Sequence, residues 1–146
     1  MTIETMKSAH VSQIADLEKR CFSAPWDDRS LASEVENPLA LWLVAVEGDR
    51  VLGYVGSQTV LGESDMMNLA VHPDIRRQGI AEKLVTALIS ALAEGGSRCL
   101  TLEVRASNAA AKALYEKLGF TKVGCRKNYY SRPKEDGDIL RKEWNL

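Results

Sequence analysis

Residues 69–81 read Leu69-Ala70-Val71-His72-Pro73-Asp74-Ile75-Arg76-Arg77-Gln78-Gly79-Ile80-Ala81. The apolar start of this stretch closes a β-rich run that begins near Asp65 and ends at His72, and a short basic loop follows. From Arg77 to about Glu94 the apolar positions Ile80, Leu84, Val85, Leu88, Ile89 and Leu92 fall at helical spacing, and Gly95-Gly96 supplies the stop. Residues 98–105 (RCLTLEVR) then return as a strand. Strand, helix and strand follow one another at the length that a right-handed parallel crossover needs, which predicts an α/β fold containing at least one parallel strand pair.

Working outward, residues 40–47 and 50–60 are two apolar, β-rich runs joined across Gly48-Asp49, a turn pair that suits an antiparallel hairpin. Before them, residues 2–7 read as a short strand. Ser8 is expected to cap a helix that presents Val11, Ile14, Ala15 and Leu17 on one face and ends near Cys21. Phe22 to Trp26 reads as a loop, and Asp27 or Asp28 opens a second helix that Asn37-Pro38 stops. After the central unit, Asn108 to Leu118 is helical, with Gly119 closing it where a left-handed backbone costs least. Phe120 leads a strand through about Arg126, Asn128 to Pro133 reads as a loop, and Gly137 to Glu143 is the last strand.

A chain of 146 residues, 45% hydrophobic and 27% charged, suits one core, so residues 1–146 are expected to form a single domain. No apolar run is long enough to span a bilayer, and the first residues lack a signal-peptide pattern; no membrane role and a cytoplasmic location are the expectations. Cys21, Cys99 and Cys125 are odd in number and far apart, and neither His10 nor His72 lies near a cysteine, so neither a disulfide framework nor a metal site is expected. A net charge of −1 offers no broad phosphate-neutralising surface, so nucleic acid is not an expected partner.

The order strand, basic loop, helix makes an anion site. The first amides of a helix lack internal partners and carry the positive end of its dipole, so Arg76, Arg77, Gln78, Gly79, Ile80 and Ala81 can wrap N–H groups around phosphate oxygens. Small residues at 79 and 81 let the ligand approach the backbone. The same residues also fit a solvated helix start. The dinucleotide fingerprint G-x-G-x-x-G and the phosphate loop ending in Gly-Lys-Ser or Gly-Lys-Thr are both absent, which argues against nucleotide hydrolysis.

Arg76-x-x-Gly79-x-Ala81 after a strand resembles the pyrophosphate-binding signature of the GNAT acetyltransferase superfamily. The resemblance covers nearly the whole chain and implies a mixed sheet whose parallel strands, 65–72 and 98–105, splay to admit acetyl-coenzyme A. It implies that the loop holds the pyrophosphate and that backbone N–H groups near Leu69, Ala70 and Val71 stabilise the oxyanion.

The second informative block runs from Leu102 to Phe120. Together with Phe22-Ser-Ala-Pro25-Trp26 and Arg126-Lys-Asn-Tyr129-Tyr130, it resembles the branch of that superfamily that acetylates the N-terminal alanine of a small-subunit ribosomal protein. Amine attack on a thioester requires a base for the released proton and an acid for the departing thiolate. Glu103 alternates with Leu102 and Val104 and so can face a cleft as base, although alternation equally fits a solvent-facing glutamate. Tyr115 can supply the proton to sulfur, although it shares a helix stripe with Ala111 and Leu118 as a core aromatic would. The resemblance favours the catalytic reading of both. Asn108 can cap free amides or hold the pantetheine arm.

Trp26, Tyr129 and Tyr130 form the expected peptide-recognition surface, with loop packing the competing reading for Trp26. An α-amino group titrates near ~7.8 and a lysine near ~10.4, so a carboxylate base suits N-termini better. Lysine or small-molecule amines, and a noncatalytic acyl-coenzyme A sensor, remain the alternatives.

Overall fold

The computed structural model describes residues 1–76 and 78–144. Seven strands form one sheet: β1 (Thr2–Thr5), β2 (Ala40–Glu47), β3 (Arg50–Val60), β4 (Glu63–Val71), β5 (Cys99–Arg105), β6 (Thr121–Ser131) and β7 (Lys134–Glu143). Among the described residues four α-helices accompany them: α1 (Val11–Cys21), α2 (Asp28–Glu36), α3 (Ile80–Glu94) and α4 (Ala109–Lys117). The sheet order is β1-β2-β3-β4-β5-β7-β6, and every neighbouring pair is antiparallel except β4–β5.

The run Ala40-Leu-Trp-Leu-Val-Ala-Val is apolar at every position because β2 is covered on both faces. Trp42, Val44 and Val46 pack with Val11, Ile14, Ala15 and Leu17 of α1 and Leu31 of α2, while Leu43 and Ala45 point to Leu84, Val85, Leu88 and Leu92 of α3. Two cores therefore lie on opposite faces of one sheet, as the period-two alternation of side chains requires. No described helix is long and apolar enough to cross a membrane.

β4 and β5 pair only at Glu63–Asp65 with Cys99–Thr101. The cause of the divergence is local. The β3–β4 register passes from Ser57↔Met66 to Gly56↔Asn68, leaving Met67 as an extra residue, and such a bulge bends its strand away from the mean plane. β5 stays paired with β7 through Arg105, while β4 stays paired with β3 through Val71. Each strand thus follows its own partner and the sheet opens between them, as the family resemblance implies.

Several boundaries differ from the sequence expectations. Ser8 does not cap α1; it begins a 3-10 turn, Ser8–His10, and the Lys7 backbone N–H donates to His10 Nδ1 (2.9 Å). The strand expected to end at His72 ends at Val71, because His72 accepts from the Asp74 N–H through Nδ1 and starts a second 3-10 turn. α3 begins at Ile80 rather than Arg77, because Gly79 takes a left-handed conformation (φ 74°) immediately before it. The loop expected at residues 128–133 is mostly strand: β6 runs to Ser131 and β7 starts at Lys134, three residues before Gly137. A second bulge, between Arg126↔Gly137 and Tyr130↔Glu135, holds Asn128 at φ 55° and masks the strand in the sequence.

Candidate active site

The open seam between β4 and β5 is flanked by two cavities that share Cys21, Phe22, Leu69, Ala111 and Tyr115 as walls. The first, about 460 Å³, runs along the start of α3 and includes Leu69, Ala70, Val71, Arg76, Gly79, Ile80 and Ala81 in its lining. Lys83 N–H bonds the Gly79 carbonyl, and the amides of Ile80 and Glu82 have no partner four residues back among the described residues. A Cβ on Gly79 would meet nothing within 4 Å, so glycine is needed there for its positive φ and not for lack of room. Arg76 extends along this cavity, its Nε 3.4 Å from the Val71 carbonyl oxygen and its Nη2 3.5 Å from Cys21 Sγ. Gln78 is exposed and lies outside the lining, and Arg77 falls outside the described residues.

Strand alternation sorts the three backbone groups carried over for the oxyanion. His72 N–H bonds the Leu52 carbonyl across the β3 seam, and the Ala70 carbonyl also points at β3, lying 2.8 Å from where a Gly53 Cβ would sit. Residues two apart in an antiparallel strand bond to the same side, so Ala70 turns towards β3 and Leu69 and Val71 turn their N–H groups into the open seam.

The second cavity, about 570 Å³, lies between the α1–α2 connection, the diverging ends of β4 and β5, and the β6–β7 hairpin. Glu103, Asn108, Tyr115, Tyr130 and Trp26 all line it; Tyr129 does not. Glu103 sits between buried Leu102 and Val104 and faces the cavity, with Arg126 Nε 3.4 Å from its Oε1. Asn108 does what helix-start asparagines do, its Oδ1 accepting from Ala111 N–H (3.1 Å).

Tyr115 is 5% exposed, packs edge-on to Phe120 (5.4 Å) and donates to Met66 Sδ (3.6 Å). Burial, with a smaller effect from Tyr130, pushes its phenol above the ordinary tyrosine range. Burial likewise raises Tyr130 to about 12, with Tyr129 and Glu103 adding to the rise and Arg105 opposing it. Trp26 lines the cavity and packs edge-on against Trp42 (5.3 Å).

The β6 bulge decides what the two tyrosines do. Tyr130 turns inward beneath the Arg105 guanidinium (4.4 Å), while Tyr129 stays 48% exposed beside Arg126 (5.5 Å). Gly137 leaves the space they occupy, since a Cβ there would lie 3.2–3.3 Å from both rings. Arg105 also donates to the Arg132 and Pro133 carbonyls and to Glu135, whose other oxygen accepts from Ser107 N–H (2.6 Å). These bonds tie the hairpin tip to the end of β5 and make it a fixed wall.

Sequence reasoning missed one polar centre. Glu18 is fully buried on α1, accepts from Trp26 N–H (2.9 Å) and from Asn68 Nδ2 (3.0 Å to each oxygen), and receives the Tyr54 hydroxyl. It holds both the connection that carries Trp26 and Asn68 beside the β4 bulge, and both border the second cavity. Burial raises its carboxyl above the usual glutamate range against the opposing pull of those three donors. The available signal was its position: Glu18 adjoins Leu17 and falls on the apolar stripe of Val11, Ile14 and Ala15.

Comparison with known proteins agrees with this geometry. Residues 11–120 match the profile of the family described as acetyltransferase (GNAT) family. The chain is 38% identical over 136 residues to the ribosomal protein bS18-alanine N-acetyltransferase of Escherichia coli K12, covering 93% of this chain and 90% of that protein. It is 39% identical over 140 residues to the enzyme of the same name from Salmonella typhimurium, covering 95% and 93%. The crystal structure of the ribosomal-protein-S18-alanine N-acetyltransferase from Escherichia coli superposes with a TM-score of 0.91 at 35% identity, over 99% of this chain and 94% of that one. With a left-handed glycine before its central helix, a sheet opened between two parallel strands and a match over most of its length, the chain belongs to the acetyltransferase (GNAT) family.

Proposed function

We propose that the chain transfers the acetyl group of acetyl-coenzyme A to the N-terminal amine of an alanine-initiated small-subunit ribosomal protein, with residues 1–146 acting as one catalytic domain. The observation that carries this reading is the meeting of two cavities at Leu69, Ala111 and Tyr115, one lined by the start of α3 and the other by Glu103. A long phosphorylated thioester fits the first and a peptide N-terminus the second. The names of the Escherichia coli and Salmonella typhimurium relatives support the alanine and the ribosomal protein.

In this mechanism Arg76 and the amides from Ile80 to Glu82 receive the pyrophosphate, with Arg77 and Gln78 as further candidates in the loop. The N–H groups of Leu69 and Val71 receive the carbonyl oxygen as it gains negative charge. Glu103 accepts the proton lost by the attacking nitrogen as the N–C bond forms. The C–S bond then breaks and Tyr115 supplies the proton to sulfur, so an amide and a free thiol leave the site. Tyr130 and Trp26 border the peptide, and Asn108 keeps α4 in place beside the thioester. No step requires a metal.

The test is intact-mass spectrometry of competing acceptors at equal concentration: an alanine-initiated ribosomal peptide, a lysine peptide with a blocked N-terminus, a polyamine and an aminoglycoside. The ribosomal peptide is expected to gain one acetyl group first. Preference for any other acceptor rejects the substrate, and binding without transfer to any of them rejects catalysis.

A further inference from the structure

The net charge of −1 conceals a division. Residues 122–134 contain Lys122, Arg126, Lys127, Arg132 and Lys134 and no acidic residue; because the whole chain nets −1 and these thirteen residues net +5, the remainder nets −6. The segment forms β6 and the turn into β7, at the edge of the sheet with no strand on its outer side among the described residues. We propose that this outer edge of the β6–β7 hairpin is a binding surface for single-stranded RNA beside the mouth of the acceptor cavity.

The acids of the hairpin are taken up by protein donors, whereas its bases are exposed, although Arg132 also lines the acceptor cavity. Asp138 is buried between Lys112 (2.8 Å) and Lys122 (3.4 Å), and those two lysines hold its carboxyl below the usual aspartate range. Glu135 is taken up by Ser107 N–H and Arg105, and Asp136 accepts from Asn128 N–H (2.8 Å). Lys122 is thereby half neutralised, whereas Lys127, Arg132 and Lys134 have no ion-pair partner among the described residues and all three are exposed. Arg126 spends one face on Glu103 and still exposes 57% of its side chain.

Tyr129 lies outside the cavity lining, with its ring exposed and Arg126 beside it. An exposed ring beside a cation on a basic, open strand edge is the combination that tracks a phosphate backbone and stacks a base. An acidic protein would answer the charge but has no particular use for the ring. The inference rests on the acceptor reading in one respect: a ribosomal protein is met in the company of RNA, so a surface beside the acceptor mouth would engage both together.

The experiment measures anisotropy of a labelled single-stranded RNA of about ten nucleotides titrated with the full chain, a length within the usual range for such sites. Four phosphate contacts, from Arg126, Lys127, Arg132 and Lys134, should weaken binding about 50-fold between about 50 and about 200 mM salt. Lys127→Ala with Lys134→Ala should cut that dependence to about 7-fold and lower affinity at the lower salt, while transfer to a free alanine-initiated peptide is unchanged. Absence of binding at the lower salt overturns the proposal, as does an unaltered salt dependence in the double variant. Equal affinity for polyglutamate of the same charge also overturns it in favour of an acidic protein partner. Because the readout is binding and not turnover, a different acceptor in the competition assay is a separate result.

Discussion

Replacing Tyr115 with phenylalanine separates chemistry from packing more cleanly than any other change at this site. Among the described residues the phenol makes one hydrogen bond, a long one to a thioether sulfur, which is a weak acceptor. The ring keeps its edge-on partner Phe120 whether or not the oxygen is present. Loss of the hydroxyl should therefore change stability by no more than about 1 kcal/mol, or less than about 4 °C in melting temperature for a chain of this size. Turnover is a different matter. An ordinary phenol titrates near ~10 and a model thiol near ~8.5, so full proton transfer to a free thiolate is uphill by roughly 2 kcal/mol before burial widens the difference. Tyr115 can help only as the C–S bond breaks, when charge on sulfur is still forming. That places the expected loss at the lower end for general acids, about 10²-fold in kcat, or about 2.7 kcal/mol. The assay is release of free thiol at saturating acetyl-coenzyme A and peptide, beside a melting curve for each protein. Wild-type turnover should show no alkaline decline from this residue through pH 9, because burial holds its proton. A variant with unchanged melting and kcat within threefold of wild type would refute the role, and a melting loss above about 10 °C would reassign Tyr115 to the core.

Four further outcomes are expected. Glu103→Gln should lower kcat by about 10²-fold or more with little change in melting, and normal turnover at saturating substrate would remove it as the base. Gly79→Val should raise the Michaelis constant for acetyl-coenzyme A and cost about 1–2 kcal/mol in a denaturant titration, from backbone strain alone, because its Cβ meets open space. Glu18 holds its proton above the usual glutamate range, so between that range and its raised value the folded state binds more protons than the unfolded one. Its contribution to stability should fall as pH rises through that window and then level, and urea midpoints of Glu18→Gln should lack that slope. Asp138 behaves oppositely: its carboxyl is held low by Lys112 and Lys122, so its contribution is present above the usual aspartate range and lost as pH falls through the depressed value. Asp138→Asn should flatten the acid limb of the same urea series.

What the sequence conveys divides along the range of the interaction. The central helix was legible because its six apolar positions repeat at helical spacing and a glycine pair ends it, all within one stretch of chain. The loop before it was legible by resemblance, but the start of α3 was displaced by three residues, since helical propensity at residues 77 and 78 gives no sign of the left-handed Gly79 that precedes Ile80. Glu103 and Tyr115 could be named from local pattern and resemblance. Their surroundings could not, because Arg126, Met66 and Phe120 reach them from other elements.

The opening of the sheet shows why the remainder was hidden. Its cause is one extra residue, Met67, opposite the Gly56–Ser57 step of β3, and no residue type announces such a bulge. Gly56 beside it is explained only by Trp42, whose ring lies where a Cβ would be, fourteen residues away on the neighbouring strand. Residues 128–133 misled for the converse reason. Asparagine, paired tyrosines, serine and proline are a loop composition, yet β7 supplies partners on one side and the strand persists around a bulge. Both bulges border the acceptor cavity, and each re-aims backbone or side chains into it: one turns β4 from β5, the other sends Tyr130 inward and leaves Tyr129 out. The regular parts of this sheet follow from patterning, whereas the walls of the acceptor cavity take their shape from two of the register shifts that interrupt strand pairing.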